Sequence, residues 1–266
     1  MTRSIYNTCG LSLSVSGHGQ GMPFVFQHGL CADADQLIQV FPGDSGYQCL
    51  TIECRGHGQS EVGPLDHLSI PTFADDVAGY TQNLDRPVIG GISMGAAISL
   101  RIAVRCPHMI KALVLARPAW VAEDAPKSAY LNLFVGQLLS QYDPREALRR
   151  FEASEIAKDL AELGPDNLSA ARSFFTREPV KVTSTLLTSI MMGGPGVTED
   201  EIKNISVPTL VIGNGRDPVH PLSYAQTLAE WIPNSSFVEI TSKSDSVDAY
   251  RRDFKSALST FLRDLN

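Results

Sequence analysis

The chain has 266 residues, 43% of them hydrophobic, and a formal net charge of −7, so it can bury a large core and fits one sizeable domain with an insertion better than two independent domains. Its Lys and Arg residues do not cluster into the basic patch that nucleic acid or an anionic membrane would need, which leaves a small molecule as the expected partner. No run of about 20 uncharged apolar residues is present and MTRSIYNTCGLSLSVSG lacks an apolar leader core, so a cytoplasmic location is expected.

Taken in chain order, short β-rich apolar runs alternate with longer helical patterns. LSLSV (11–15), PFVFQ (23–27) and YQCLTIE (47–53) read as strands, followed by a helical pattern over 72–84. PVIGGI (87–92) is the next strand and 93–104 the next helix, then the strand KALVLA (111–116). From 120 to 203 the pattern is helical and supplies no strand, which predicts an inserted helical lid between core segments 1–119 and 204–266. The strands PTLVIG (208–213) and SFVEI (236–240) return, with helices over 224–231 and 247–265. This rhythm predicts an α/β fold: a mostly parallel central sheet flanked by helices.

Five cysteines, Cys9, Cys31, Cys49, Cys54 and Cys106, form no C-x-x-C pair and are odd in number. They predict reduced thiols rather than disulfides or a zinc site, and neither a metal nor a cofactor is expected.

The chemistry-bearing run is Gly91-Ile92-Ser93-Met94-Gly95, a G-x-S-x-G sequence between a strand and an amphipathic helix. A serine on so sharp a turn needs small residues two before and two after it, and the turn exposes the hydroxyl above a helix N-terminus. Ser93 is therefore the expected nucleophile. Upstream, His28-Gly29-Leu30 follows a buried strand, and Glu53-Cys54-Arg55-Gly56-His57-Gly58-Gln59-Ser60 resembles a D-x-R-G-x-G-x-S turn with glutamate first. Together these motifs resemble the α/β-hydrolase fold family, and the D-P-x-x-P form of the loop after PTLVIG resembles its enol-lactonase-like branch. The resemblance implies an oxyanion hole made by the Leu30 and Met94 amides and a catalytic acid at Asp217. It covers both ends of the chain, about two-thirds of it, and no motif of the 120–203 segment.

That family carries its catalytic histidine in the loop after the last strand, shortly before a terminal F-x-x-x-L-x-x-F-L helix. The helix is matched by Phe254, Leu258, Phe261 and Leu262, but the loop offers Lys243, Ser244 and Asp245, and no histidine follows His220. Losing a triad base costs about 10^4 to 10^6 in turnover. Four substitutes are open. His220 is nearest in sequence to Asp217, though its place at a helix start favours a capping or surface role; His28 lies in the oxyanion loop, where a loop-organising hydrogen bond is the plainer role. Lys243 would be held protonated by nearby carboxylates, and Asp245 is a poor base for a hydroxyl. Trp120 and Cys31 are further candidates for lining a pocket.

Two readings follow. One is a serine hydrolase of a small ester, lactone or related carbonyl substrate, working with a non-standard base. The other is a weakly active or non-hydrolytic member that binds a small acyl or carbonyl ligand. The strain of a serine elbow, which a passive pocket does not need, favours the first.

Overall fold

The computed structural model describes residues 2–265. Its eight strands are β1 (Thr2–Thr8), β2 (Leu11–Gly19), β3 (Met22–Gln27), β4 (Tyr47–Ile52), β5 (Val88–Ile92), β6 (Ala112–Ala116), β7 (Thr209–Gly213) and β8 (Ser235–Glu239). They form one sheet in the order β1-β2-β4-β3-β5-β6-β7-β8, antiparallel at β1–β2 and β2–β4 and parallel from β4 onward. The expected α/β architecture is therefore present.

The helices outside the insertion are α1 (Ala34–Ile38), α2 (Ile70–Thr81) and α3 (Met94–Arg105). After β6 come α4 (Tyr130–Gln141), α5 (Pro144–Glu152), α6 (Glu155–Leu163), α7 (Pro165–Phe174), α8 (Val180–Met192) and α9 (Glu199–Lys203). The chain closes with α10 (Leu222–Trp231) and α11 (Val247–Asp264). Between β6 and β7 there is, among the described residues, no strand.

Strand periodicity divides the interior into two layers. Alternate side chains point to opposite faces of a sheet. Val25, Ile89 and Val211 join one core with α2, α3 and α10, while Phe24, Phe26, Val88, Leu210 and Ile212 join the other with α1 and α11. In α11, Tyr250, Phe254, Leu258 and Leu262 fall at helical spacing and are buried against the second layer. Each such fully buried side chain stabilises by about 1.5–3 kcal/mol. A third core belongs to the insertion and gathers Leu138, Phe151, Leu168 and Phe174. Helix α8 joins it to the rest: Leu187 packs within the insertion, while Leu186 and Ile190 pack into the sheet's first layer.

Strand β1 has no counterpart among the sequence-based expectations. TRSIYNT lies at the sheet edge with a largely exposed surface, so it carries no alternating apolar signal. Its pairing with β2 is set by the Cys9-Gly10 turn, where φ is 49° and 76°, the positive pair that a tight hairpin favours.

Candidate functional site

The site lies at the carboxyl ends of β3, β5, β6 and β7, where ligands of open α/β sheets gather. Ser93 joins β5 to α3 with φ 58° and ψ −113°, a backbone conformation costly for any residue with a Cβ. Its neighbours explain why the turn closes. A Cβ on Gly91 would stand 2.3 Å from the Gly95 carbonyl carbon, and one on Gly95 would stand 2.2 Å from the Gln27 oxygen. Ser93 N–H donates to the Ala116 carbonyl (3.0 Å), while the Ser93 carbonyl accepts from Ala96 and Ala97. The hydroxyl is thereby left free to point away from the sheet.

Contrary to the expectation that His220 caps a helix or faces solvent, its imidazole reaches the serine. Nε2 stands 2.9 Å from Ser93 Oγ, and Nδ1 stands 2.9 Å from Asp217 Oδ1. Because an ionised carboxylate only accepts, Nδ1 carries the proton and Nε2 is left to accept from the hydroxyl. Acid and imidazole come from one four-residue turn between β7 and α10, in which His220 N–H also donates to Asp217 Oδ1 (3.2 Å). An imidazole thus reaches Ser93 from the loop before the C-terminal one.

Asp217 is buried and fully engaged. Its Oδ2 accepts from Arg117 Nε (2.8 Å) and Nη2 (2.6 Å), and its Oδ1 also accepts from Asn167 Nδ2 (3.0 Å). Burial would raise its pKa, but the Arg117 guanidinium and the His220 contact overcome this and hold the carboxyl well below the usual carboxylate range. Arg117 follows β6 with φ 44°, and its Nη2 also lies 3.3 Å from Asp166 Oδ2. Lys243 Nζ is 3.5 Å from Asp166 Oδ1. Two cations and two anions therefore alternate behind the imidazole, which keeps the buried group electrically balanced.

The loop around Leu30 is fixed from both sides. Gly29 N–H donates to Gln36 Oε1 (2.7 Å), and Cys31 N–H donates to His57 Nε2 (3.0 Å). Among the described residues, the Leu30 and Met94 amides donate to no protein acceptor. The Glu53 carboxylate holds its own turn together: it accepts from Gln59 N–H (2.8 Å) and Ala34 N–H (3.4 Å), and a Cβ at Gly58 would overlap it.

Most of the other candidates fall elsewhere. His28 is fully buried, with Nδ1–H donating to the Gly29 carbonyl (2.8 Å) and Nε2 accepting from Cys54 N–H (3.0 Å), so both ring nitrogens are occupied away from Ser93. Asp245 pairs with Arg216 at the surface. Trp120 is buried in the first core layer, its indole N–H donating to the Gly193 carbonyl (2.9 Å), and it does not line the serine cavity. Cys31 does not line that cavity either, and burial pushes its thiol up to about 12. Lys243 does line it.

The cavity above Ser93 has a volume of about 120 Å³ and is bounded by Leu30, Gln36, Asn132, Phe174, His220 and Lys243, among others. A larger cavity, about 270 Å³, lies between residues 121–126 and α10 and touches none of Ser93, His220 or Asp217. Sequence reasoning overlooked Arg117, Asn132, Asp166 and Asn167. Arg117 did leave a signal, a cation directly after a fully apolar strand; the insertion residues left none, because nothing in helical periodicity says which polar residue faces a distant loop.

The match to the alpha/beta hydrolase fold family model spans residues 22–245, and the chain belongs to that family. It is 26% identical over 242 residues to the AB hydrolase superfamily protein YisY of Bacillus subtilis, covering 86% of each chain. It is 27% identical over 245 residues to a non-heme chloroperoxidase of Streptomyces lividans, covering 83% of each. The enol-lactonase of Burkholderia xenovorans LB400 shares the fold with a TM-score of 0.76 at 19% identity, over 98% of this chain and all of that one. Among the described residues, no helix is long and apolar enough to cross a membrane, and no group of three His, Cys, Asp or Glu side chains is placed to hold a metal ion.

Proposed function

We propose that the protein is a serine hydrolase of small esters or lactones in which Ser93 is the nucleophile, His220 the base and Asp217 the acid. The observation that carries this reading is the pair of 2.9 Å contacts made by the His220 ring, one to Ser93 Oγ and one to Asp217 Oδ1. Ser93 Oγ attacks the substrate carbonyl carbon while its proton passes to His220 Nε2, and Asp217 stabilises the imidazolium that forms. The carbonyl oxygen, now negative, is held by the Leu30 and Met94 amides at the start of α3. Collapse of this intermediate expels the alkoxide, which takes the proton from Nε2, and leaves an acyl-Ser93 ester. Water, deprotonated by the same imidazole, then releases the acid and restores the serine.

The reading as a passive binder rested on the lack of an imidazole, and His220 removes that motive. The small cavity, with Asn132, Gln36 and Lys243 beside Leu30 and Phe174, favours short acyl groups over long aliphatic ones. The 120–203 insertion supplies Asn132, Asn167 and Phe174 to this cavity and serves as the lid. To test the reading, the protein is exposed to a fluorophosphonate probe and to short esters and lactones. Labelling and turnover are expected, both lost in Ser93→Ala; turnover that survives Ser93→Ala sinks the proposal.

A further inference from the structure

We propose that Asn167, on helix α7 of the insertion, is a positioning residue for the acid and the base, so that the insertion helps make His220 competent as well as covering the cavity. This rests on the serine-hydrolase reading above. In the arrangement that the C-terminal motif led us to expect, acid and base stand on separate loops, each fixed by its own strand. Here one turn carries both, and a rotation of that turn moves them together away from Ser93.

Several contacts oppose such a rotation. Arg117 forks onto Asp217 Oδ2, and Asn167 Nδ2 donates to Oδ1 at 3.0 Å, so both carboxylate oxygens are held and the plane that orients His220 Nδ1–H is fixed. The same amide's Oδ1 lies 3.5 Å from Val219 N, within the turn. At the start of α7, a Cβ on Gly164 would come 2.7 Å from Pro218 Cδ and 2.8 Å from Asn167 Oδ1, so the helix approaches the turn as closely as a glycine permits. Val219 is itself buried in the insertion's core beside Phe174 and Leu168. Asn167 is only 5% exposed, so its amide has no solvent to turn to.

Asn167→Asp separates positioning from packing, because it keeps volume and the acceptor toward Val219 while replacing the donor beside Asp217 with a second anion. We expect kcat for a short p-nitrophenyl ester to fall roughly tenfold or more in Asn167→Ala, and further in Asn167→Asp, with KM little changed. Leu168→Ala, which weakens the insertion's core without touching Asp217, should lower Tm and spare kcat. In NMR spectra, the carboxylate-bonded Nδ1–H resonance of His220 should be lost in Asn167→Asp. An unchanged resonance, or a kcat that falls only in step with Tm across all three variants, overturns the proposal. If Ser93→Ala proves fully active, the functional reading fails, and the His220 resonance still decides whether Asn167 positions the ring.

Discussion

At Ser93 a positive φ and two flanking glycines place a hydroxyl where an imidazole can take its proton. Removal of that imidazole separates this residue's role from binding effects: His220→Ala is expected to reduce kcat about 10^4-fold or more while the cavity still takes up substrate, as steady-state and single-turnover kinetics will show. Gly95 carries a different burden. A Cβ there would stand 2.2 Å from the Gln27 carbonyl oxygen, a backbone atom that cannot swing aside. Gly95→Ala should therefore lower stability by about 1–3 kcal/mol, read as a shift of the urea midpoint at unchanged m-value. Asp217 shows how single-residue electrostatics are set by neighbours, since burial alone would favour its neutral form and Arg117 reverses the outcome.

The loops after β3 and β4 interlock through two histidines that are buried and uncharged. Burial lowers the pKa of His28 and lowers that of His57 further, with the neighbouring His28 and Arg177 adding to the effect on His57. Each accepts a backbone N–H through Nε2, from Cys54 and Cys31 respectively, which a protonated ring cannot do. The sign of the pH effect follows. Below about pH 6.5 the unfolded chain takes up protons at these positions and the native state does not, so stability falls as pH drops, by up to about 1.4 kcal/mol per pH unit for each ring. Tm measured from pH 8 to 5 should decline accordingly, and His57→Gln should make the decline shallower. Asp217 acts with the same sign but lower, its contribution being present above about pH 4 and lost as pH falls toward its depressed native value.

Across the molecule, α8 ties the insertion to the sheet by contributing Leu187 to one core and Leu186 and Ile190 to another. Heat should accordingly unfold the chain in one calorimetric transition, and Phe151→Ala, deep in the insertion, should lower the whole transition at a cost of about 3–5 kcal/mol. A separate early transition for the insertion would contradict this. The alternation of apolar runs and helices and the tight G-x-S-x-G turn were legible in the sequence, because each rests on local periodicity or on a local steric demand. The edge strand β1 was not, since an exposed strand that pairs on one side leaves no apolar pattern. Nor was the base. A sequence can count residues between His220 and Asp217, but whether the ring turns toward Ser93, 127 positions away, depends on how β5 and β7 are set into one sheet and how the insertion grips the turn. Local chemistry along the chain determined the fold class and the sharp turn that presents the Ser93 hydroxyl. Only the tertiary structure decided which imidazole touches that hydroxyl, because the contact is a distance between parts of the chain that no local rule relates.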